Sequence, residues 1–384
     1  MKEIKSVTDP GYRICTKTVM DNIADPNITF DGDGVCNYYY EFLDKLEYRL
    51  PKNETRDAEF KTIIDRVKKE GEGKKYDCII GVSGGVDSSY VAYLVKQLGL
   101  RPLAVHLDNG WNSELAVKNV ENILKILHID LYTVVVDWEI FKDWQLSFLK
   151  ASTPDAEVPT DHIIAATMYD IAHKFGVRFI LSGMNFRSEG LLPPTWARGY
   201  LDWKYLKGVQ KKFGTKNIDS LPHLSIGKFF YYNIIKRMKV VNVLNYMDFI
   251  KKDAMVILEK ELAYRPYSGK HYESIYTRFF QSYILPTKFG IDKRKAHYTC
   301  LILGTKEITR EQAVEYLKEP TAPPELIAED TEYMLKKFGI TAYQFDEIMK
   351  TPVKTIFDYP NNHKWELKFR RLLNNLRKKG FAPK

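Results

Sequence analysis

Gly81-Val82-Ser83-Gly84-Gly85-Val86-Asp87-Ser88-Ser89 follows the apolar run Tyr76-Asp77-Cys78-Ile79-Ile80, and this stretch decides the fold. The run has the length and composition of a strand. Beyond the glycines, Val91, Leu94, Val95 and Leu98 recur at helical spacing, so the stretch turns a strand into a helix. Gly84 and Gly85 can take backbone angles closed to other residues and leave room for a close ligand. The N–H groups that open a helix, the helix dipole, and the hydroxyls of Ser83, Ser88 and Ser89 favour an anion. The obvious anion is a phosphate chain. Neither G-x-x-x-x-G-K-[ST] nor G-x-G-x-x-G describes the loop.

The loop resembles the S-G-G-x-D-S signature of the PP-loop ATP pyrophosphatases, which cleave ATP between its α and β phosphates. A serine-capped glycine turn is the plain alternative. Outward from it, strands are expected at 76–82, 102–107, 131–136 and 178–181, with helical patterns between them such as Ala116, Val120, Ile123, Leu124 and Leu127. Apolar strands alternating with amphipathic helices imply an α/β fold, a Rossmann-like parallel sheet with helices on both faces. Ligands of such sheets sit at the carboxyl ends of the strands. Three polar groups fall there: the serine–glycine loop, His106-Leu107-Asp108-Asn109-Gly110-Trp111, and Leu181-Ser182-Gly183-Met184-Asn185. The candidate ATP-binding residues are therefore Ser83, Gly84, Gly85, Val86, Asp87, Ser88, Ser89, His106, Asp108, Asn109, Ser182 and Gly183. Taken alone, Asp108-Asn109-Gly110 also reads as a turn. Thr160 or Asp161 is expected to cap a helix running through His173.

The chain has 384 residues, 45% of them hydrophobic and 28% charged, which fits one large globular domain with appendages or two domains. We divide it into a small N-terminal lobe (1–75), the ATP-binding domain (76–190) and a mostly helical region (191–384). Phe60, Ile63, Ile64 and Val67 suggest a helix leading into the core. No apolar run approaches the roughly 18 residues of a membrane span, and Met1-Lys2-Glu3-Ile4-Lys5 lacks a signal-peptide core, so the expectation is a cytoplasmic protein. Cys15 and Cys36 begin what would be C-x-x-C pairs, but Thr18 and Tyr39 stand at the second positions. Two thiols without a nearby histidine do not complete a tetrahedral zinc site, so the lobe reads as structural and metal-free.

Of the net charge of +9, seven charges lie from Lys364 onward, where eight Lys/Arg face one acid, Glu366. A basic groove through the body is not indicated, and no nucleic-acid partner is expected. Trp365, Phe369, Leu372, Leu373 and Leu376 make the tail an amphipathic basic helix. It is read as docking on its own protein, with an anionic membrane surface or a partner as alternatives. The aromatic, lysine-rich stretch with Trp196, Tyr200, Trp203, Tyr205 and residues 229–232 reads as helix packing, with base stacking as the alternative. Thr309 and Gln312 have capping-box spacing.

The second informative stretch is Tyr264-Arg265-Pro266-Tyr267-Ser268-Gly269-Lys270-His271-Tyr272-Glu273-Ser274-Ile275-Tyr276-Thr277-Arg278, continued by Lys288, Lys293 and Arg294. Together with the loop, Asp108-Asn109-Gly110-Trp111, Ser182-Gly183-Met184-Asn185 and Ser188-Glu189-Gly190, it resembles the N-acetyl sugar amidotransferases of surface-polysaccharide biosynthesis, over most of residues 10–360. The four-cysteine pattern common in that family is half absent here.

The resemblance implies ATP and Mg²⁺ as cofactors and a nucleotide-linked acetamido sugar as substrate. AMP would be transferred to the unreactive N-acetyl carbonyl oxygen, with pyrophosphate leaving, and ammonia would displace AMP to give an acetamidino group. The loop would hold the departing phosphates. Asp87 would serve as a Mg²⁺-related carboxylate, with loop ordering or helix capping as alternatives. Lys270, Arg278, Lys293 and Arg294 would bind phosphate and substrate, and His271 and Glu273 are candidate bases. Asn185, Glu189, Lys270, Arg278 and Lys288 would contact the sugar nucleotide.

The chain begins Met1-Lys2, and none of its cysteines lies in a glycine-flanked elbow, so a separate glutaminase and a cyclase-like ammonia-delivery subunit are the expected partners. Two other classes stay open, a PP-loop tRNA-modifying enzyme and a non-catalytic nucleotide sensor.

Overall fold

The computed structural model describes residues 7–267, 269 and 272–363. Five parallel strands are arranged in the order β3-β2-β1-β4-β5: β1 Cys78–Gly81, β2 Pro102–Asp108, β3 Asp130–Val135, β4 Phe179–Ser182 and β5 Lys239–Asn242. The sheet stands as the sequence implied, with β5 added at one edge. β5 lies in a lysine-rich stretch whose alternation is only four residues long, too short to stand out against its helical surroundings. β3 is the opposite edge, with Leu131 and Val135 exposed.

The strands show why helices cover both faces. Cys78, Ile80, Ala104, Phe179 and Leu181 point into a core with Val91, Val95, Ile123 and Leu124, while Ile79, Leu103, Val105 and Ile180 point into another with Ala166, Tyr169 and Ala172. The period of two sends alternate residues to opposite layers. Helices α1 (Asn37–Arg49) and α2 (Asn53–Gly71) precede the sheet; α3 (Val86–Gln97), α4 (Glu114–Leu127), α5 (Trp138–Ala151), α6 (Val158–Lys174) and the short α7 (Phe186–Glu189) follow within it. After these come α8 (Trp203–Phe213), α9 (Ile226–Phe230), α10 (Lys251–Leu262), α11 (Ile275–Phe279), α12 (Leu285–Phe289), α13 (Arg294–Cys300), α14 (Arg310–Tyr316), α15 (Pro324–Phe338) and α16 (Ala342–Lys350). The capping box at Thr309 and Gln312 is formed on α14.

One expectation fails at α6. The helix opens at Val158 with Pro159 in its first turn and no side-chain cap, and Thr160 instead donates to Gln145 Oε1 at 3.2 Å. Proline at the helix start sets the entry, so the cap residues lie inside the first turn.

The largest core draws on every part of the chain. Cys15, Met20, Cys36 and Phe42 of the lobe pack with Trp111, Phe148, Tyr276, Phe280 and Phe338. Trp196 Nε1 donates to the Ala24 carbonyl at 2.7 Å, and Arg310 donates to the carbonyls of Cys15 and Thr18. In the lobe the Cys36 N–H donates to Cys15 Sγ at 3.2 Å, and the Thr18 hydroxyl lies 3.7 Å from Cys36 Sγ. The contact between the two thiols is the main cause holding Cys15 down to about 5. Among the described residues no group of three or more His, Cys, Asp or Glu side chains could hold a metal, and no helix is long and apolar enough to cross a membrane. The basic tail lies outside the described residues.

Candidate active site

The chain leaves β1 for β2 and β3 on one side and returns to β4 on the other, so the loops after β1 and β4 diverge and open a crevice. Both sequence-derived loops meet there. A side chain at Gly183 would lie 3.1 Å from the Asp87 backbone, so the end of β4 presses directly on the first turn of α3.

The serine–glycine loop is held by its own hydroxyls. Ser88 Oγ donates to the Gly85 carbonyl at 3.1 Å, accepts from the Ser83 N–H at 3.2 Å and lies 3.1 Å from Ser83 Oγ, which accepts the Gly85 N–H at 3.3 Å. Ser89 is buried in the helix. Gly84 has φ +83, and a Cβ there would strike the Ala116 carbonyl at 2.6 Å. Both the left-handed φ, as the sequence implied, and the close approach of α4 call for glycine there. The first-turn N–H groups of α3 have no acceptor within the helix, and with the dipole they form an anion cradle. Lys251 Nζ lies 3.5 Å from Asp87 Oδ2.

At the end of β2 the side chains serve the loop more than a ligand. His106 is buried; its Nδ1 contacts the Val82 carbonyl at 2.8 Å and its Nε2 contacts Asn112 Nδ2 at 3.1 Å. A carbonyl accepts and an amide nitrogen donates, so the proton belongs on Nδ1 and the ring braces the phosphate loop. Asp108 Oδ1 accepts the Gly110 N–H at 3.0 Å and Asn109 Oδ1 accepts the Trp111 N–H at 3.3 Å. These two therefore form the turn that was the alternative reading. Ser182 likewise accepts the Met184 N–H at 3.2 Å. Asn185 is buried and caps α7 through the Arg187 N–H at 3.0 Å. Glu189 is part-exposed at the end of α7.

The C-terminal half closes over this crevice. Asn112 and Ser274 form an antiparallel bridge, the Ser113 N–H donates to the Glu273 carbonyl at 2.9 Å, and the Ile275 N–H to the Trp111 carbonyl at 3.0 Å. Glu273 is thereby laid on the loop, its Oε1 3.7 Å from where a Gly85 Cβ would stand. Tyr267 donates to the Gly84 carbonyl at 3.0 Å, and Asn119 grips the Arg265 backbone at both ends. Burial raises the Tyr264 phenol, with further contributions from Tyr267, Glu273 and Asp87. Tyr267, Asn112, Asn119 and Lys251 escaped the sequence reading. Only Tyr267, inside the quoted 264–278 stretch, and Asn112, directly after the quoted Trp111, carried any signal.

Four basic residues expected at phosphate or substrate have partners within the protein. Arg278 makes a bidentate pair with buried Asp330, at 2.8 and 2.5 Å. Arg294 is held by Asp292 at 2.7 Å and by the Glu319 and Pro320 carbonyls. Lys288 donates to the Ile348 carbonyl, and burial lowers it to about 8. Lys293 pairs with Glu157 at 3.1 Å, where Gln281 also donates at 2.9 Å. In each case a cation entering a packed interior takes a protein partner because an unpaired charge there costs too much. Burial also pushes the nearby Asp155 up to about 7. This polar cluster lies beside the start of α6, at the carboxyl edge of the sheet. Lys270 and His271 lie outside the described residues.

The fold, the crevice and the serine–glycine cradle define a PP-loop ATP pyrophosphatase domain, and residues 57–189 match the NAD synthase family model. Residues 273–372 match the model described as LPS biosynthesis protein WbpG-like, C-terminal domain. The chain thus joins an NAD synthase-like PP-loop segment to a segment similar to the WbpG-like C-terminal domain. It is 28% identical over 158 residues to protein MJ1599 of Methanocaldococcus jannaschii, covering 41% of this chain and 53% of that protein. It is 30% identical over 130 residues to tRNA-specific 2-thiouridylase MnmA 1 of Caldanaerobacter subterraneus, covering 29% of this chain and 35% of that protein. The chain thus spans about half the length of the first and about a third of the second. Similar solved structures include NMN synthetase from Francisella tularensis, at 12% identity and TM-score 0.31 over 78% of this chain and 98% of that one. NH3-dependent NAD synthetase from Campylobacter jejuni has 14% identity and TM-score 0.31 over 74% and 97%.

Proposed function

We propose that this protein is an ATP-dependent, AMP-forming amidotransferase of LPS or related glycan biosynthesis that converts the N-acetyl group of a nucleotide-linked sugar into an acetamidino group. The observation that carries the reading is the Glu273–Tyr267 segment of the WbpG-like half seated on the phosphate loop of the NAD synthase-like half. One crevice then holds both ATP and the group that ATP activates.

An amide oxygen is a poor leaving group, so the carbonyl oxygen first attacks the α-phosphorus and pyrophosphate departs. Ammonia adds to the resulting imidate carbon, loses a proton, and AMP leaves with the former carbonyl oxygen. The α3 N–H groups and the Ser83 and Ser88 hydroxyls receive the departing phosphates. Glu273 is the carboxylate placed to take the proton.

The donor set fits magnesium. Asp87 and Glu273 are hard oxygen donors on either side of the loop, and a site with one or two carboxylates completed by substrate phosphates is the usual form for that ion. Bound there, Mg²⁺ would offset phosphate charge. Ammonia would come from a separate glutaminase with its delivery subunit, because all four cysteines are buried.

The test is incubation of the purified chain with ATP, Mg²⁺, ammonium and diacetamido-sugar nucleotides. AMP, pyrophosphate and the mass change for replacing oxygen by NH are expected. Formation of ADP, or turnover with glutamine alone, would refute the reading. A second reading, base adenylation on tRNA, rests on the similarity to the 2-thiouridylases. Tight tRNA binding at physiological salt would favour it.

A further inference from the structure

Residues 221–247 contain four cations, Lys228, Lys236, Arg237 and Lys239, and not one carboxylate. Within them α9 continues without a break into a π-helical turn, Tyr231–Ile235, so ten residues form one rod. Its inner face is fixed to α6: Tyr232 donates to Asp170 at 2.6 Å and stacks on Tyr169, and Lys228 pairs with Asp170 at 2.9 Å. Its outer face is apolar. Ile226 is 65% exposed, Phe230 54% and Ile235 60%, with Phe229 and Ile234 between them, and Val240 of the edge strand β5 extends the patch. A contiguous apolar surface on a firmly anchored element marks a site of interaction.

Charge selects the partner. Lys228 is neutralised by Asp170, but Lys236, Arg237 and Lys239 are exposed along the rim. A second copy would bring these like charges face to face, and Lys239 on the open strand edge opposes pairing between sheets. Asn362 donates to Asp202 at 2.6 Å, and neighbouring Trp203 stacks on His223, three residues before α9. The last described residues therefore lie on this side of the protein, and the sequence beyond them, 364–384, is basic.

We propose that this flank lies on an anionic phospholipid surface. The α9 rod lies in the interface plane, Ile226, Phe229, Phe230, Ile234 and Ile235 enter the headgroup–acyl boundary, and Lys236, Arg237 and Lys239 meet lipid phosphates. The crevice stays open in this pose. It lies at the carboxyl ends of β1 and β4, whereas Lys239 bonds to Arg178 just before the amino end of β4. The inference stands independently of the reaction catalysed.

The test is sedimentation of the full chain with phosphatidylcholine vesicles and with phosphatidylcholine–phosphatidylglycerol vesicles. Binding to the second kind, weakened by salt, is expected. The charge-neutral triple variant Phe230→Ser, Ile234→Ser, Ile235→Ser should bind about tenfold less tightly or weaker. Should that variant fold poorly, Ile235→Cys carrying an environment-sensitive dye should shift to shorter emission wavelength on the anionic vesicles. Binding to neither vesicle overturns the proposal. So does full binding by the triple variant, which would assign it to the tail, or an unshifted dye. A dimer that the triple variant dissolves would make the patch a protein interface and would equally overturn it.

Discussion

The Tyr267 phenol donates a hydrogen bond to the Gly84 carbonyl at 3.0 Å, joining positions 183 residues apart. Burial holds this phenol up to about 12, so it remains a donor at any working pH. The loop that cradles phosphate is thus shaped partly by the other half of the chain. Tyr267→Phe removes the bond and little volume. A neutral hydrogen bond contributes about 1 kcal/mol, so the KM for ATP should rise about fivefold, with unfolding changed by about as little. Pyrophosphate release against ATP concentration checks this, and an unchanged KM would show the contact to be incidental.

The hydroxyl pair beneath the phosphates allows a sharper distinction. Ser88 serves both the Ser83 N–H and the Gly85 carbonyl, whereas Ser83 Oγ holds one N–H and faces the crevice. Losing one preorganised donor to a developing oxyanion costs about a hundredfold in rate or more. Ser83→Ala should lower pyrophosphate release to that degree with the circular dichroism spectrum intact. Ser88→Ala should lose the rate and also some stability, because it leaves backbone groups of the loop unmatched.

How far the sequence could carry this follows from the same residues. The strand–loop–helix at 78–97 was legible because hydrophobic period, glycine placement and hydroxyl spacing all agree there. The crevice followed from sheet topology. What could not be read was which polar residues face inward. His106, Asp108 and Asn109 sit where ligand contacts belong, yet spend their hydrogen bonds on the loop and the turn. Arg278 looked like a phosphate ligand because its true partner, Asp330, lies 52 residues away on α15. Sequence spacing carries no trace of such a pairing.

That pairing makes a direct prediction. Asp330 is buried, and Arg278→Met would leave its carboxylate there without a counter-charge. Breaking one side of a buried ion pair costs about 3–5 kcal/mol, while replacing both sides by apolar groups is often neutral. Chemical denaturation should show Arg278→Met strongly destabilised, and Arg278→Met with Asp330→Leu largely recovered. If the single variant kept its stability but lost affinity for sugar nucleotide, Arg278 would be a ligand residue after all.

The polar cluster by α6 should be visible in the pH dependence of stability. Burial is the main cause holding the Asp155 carboxyl up to about 7, against its ordinary 3.8; Lys293 counteracts it and Glu157 reinforces it. Between those two values the folded chain keeps a proton that the unfolded chain has released. Stability must therefore fall as pH rises from 3.8 to about 7, and the loss is complete above that. Asp155→Asn keeps an oxygen for the Glu157 and Arg198 N–H groups but cannot ionise. Its denaturation midpoint should exceed that of the wild type at pH 8 and its profile should be flatter across the window. Removing the cation with Lys293→Met should carry the decline on to higher pH, because Asp155, Glu157 and Asp161 then repel one another without relief. Parallel profiles for all three proteins would mean that Asp155 ionises as if in water, and that Lys293 is free to serve a substrate.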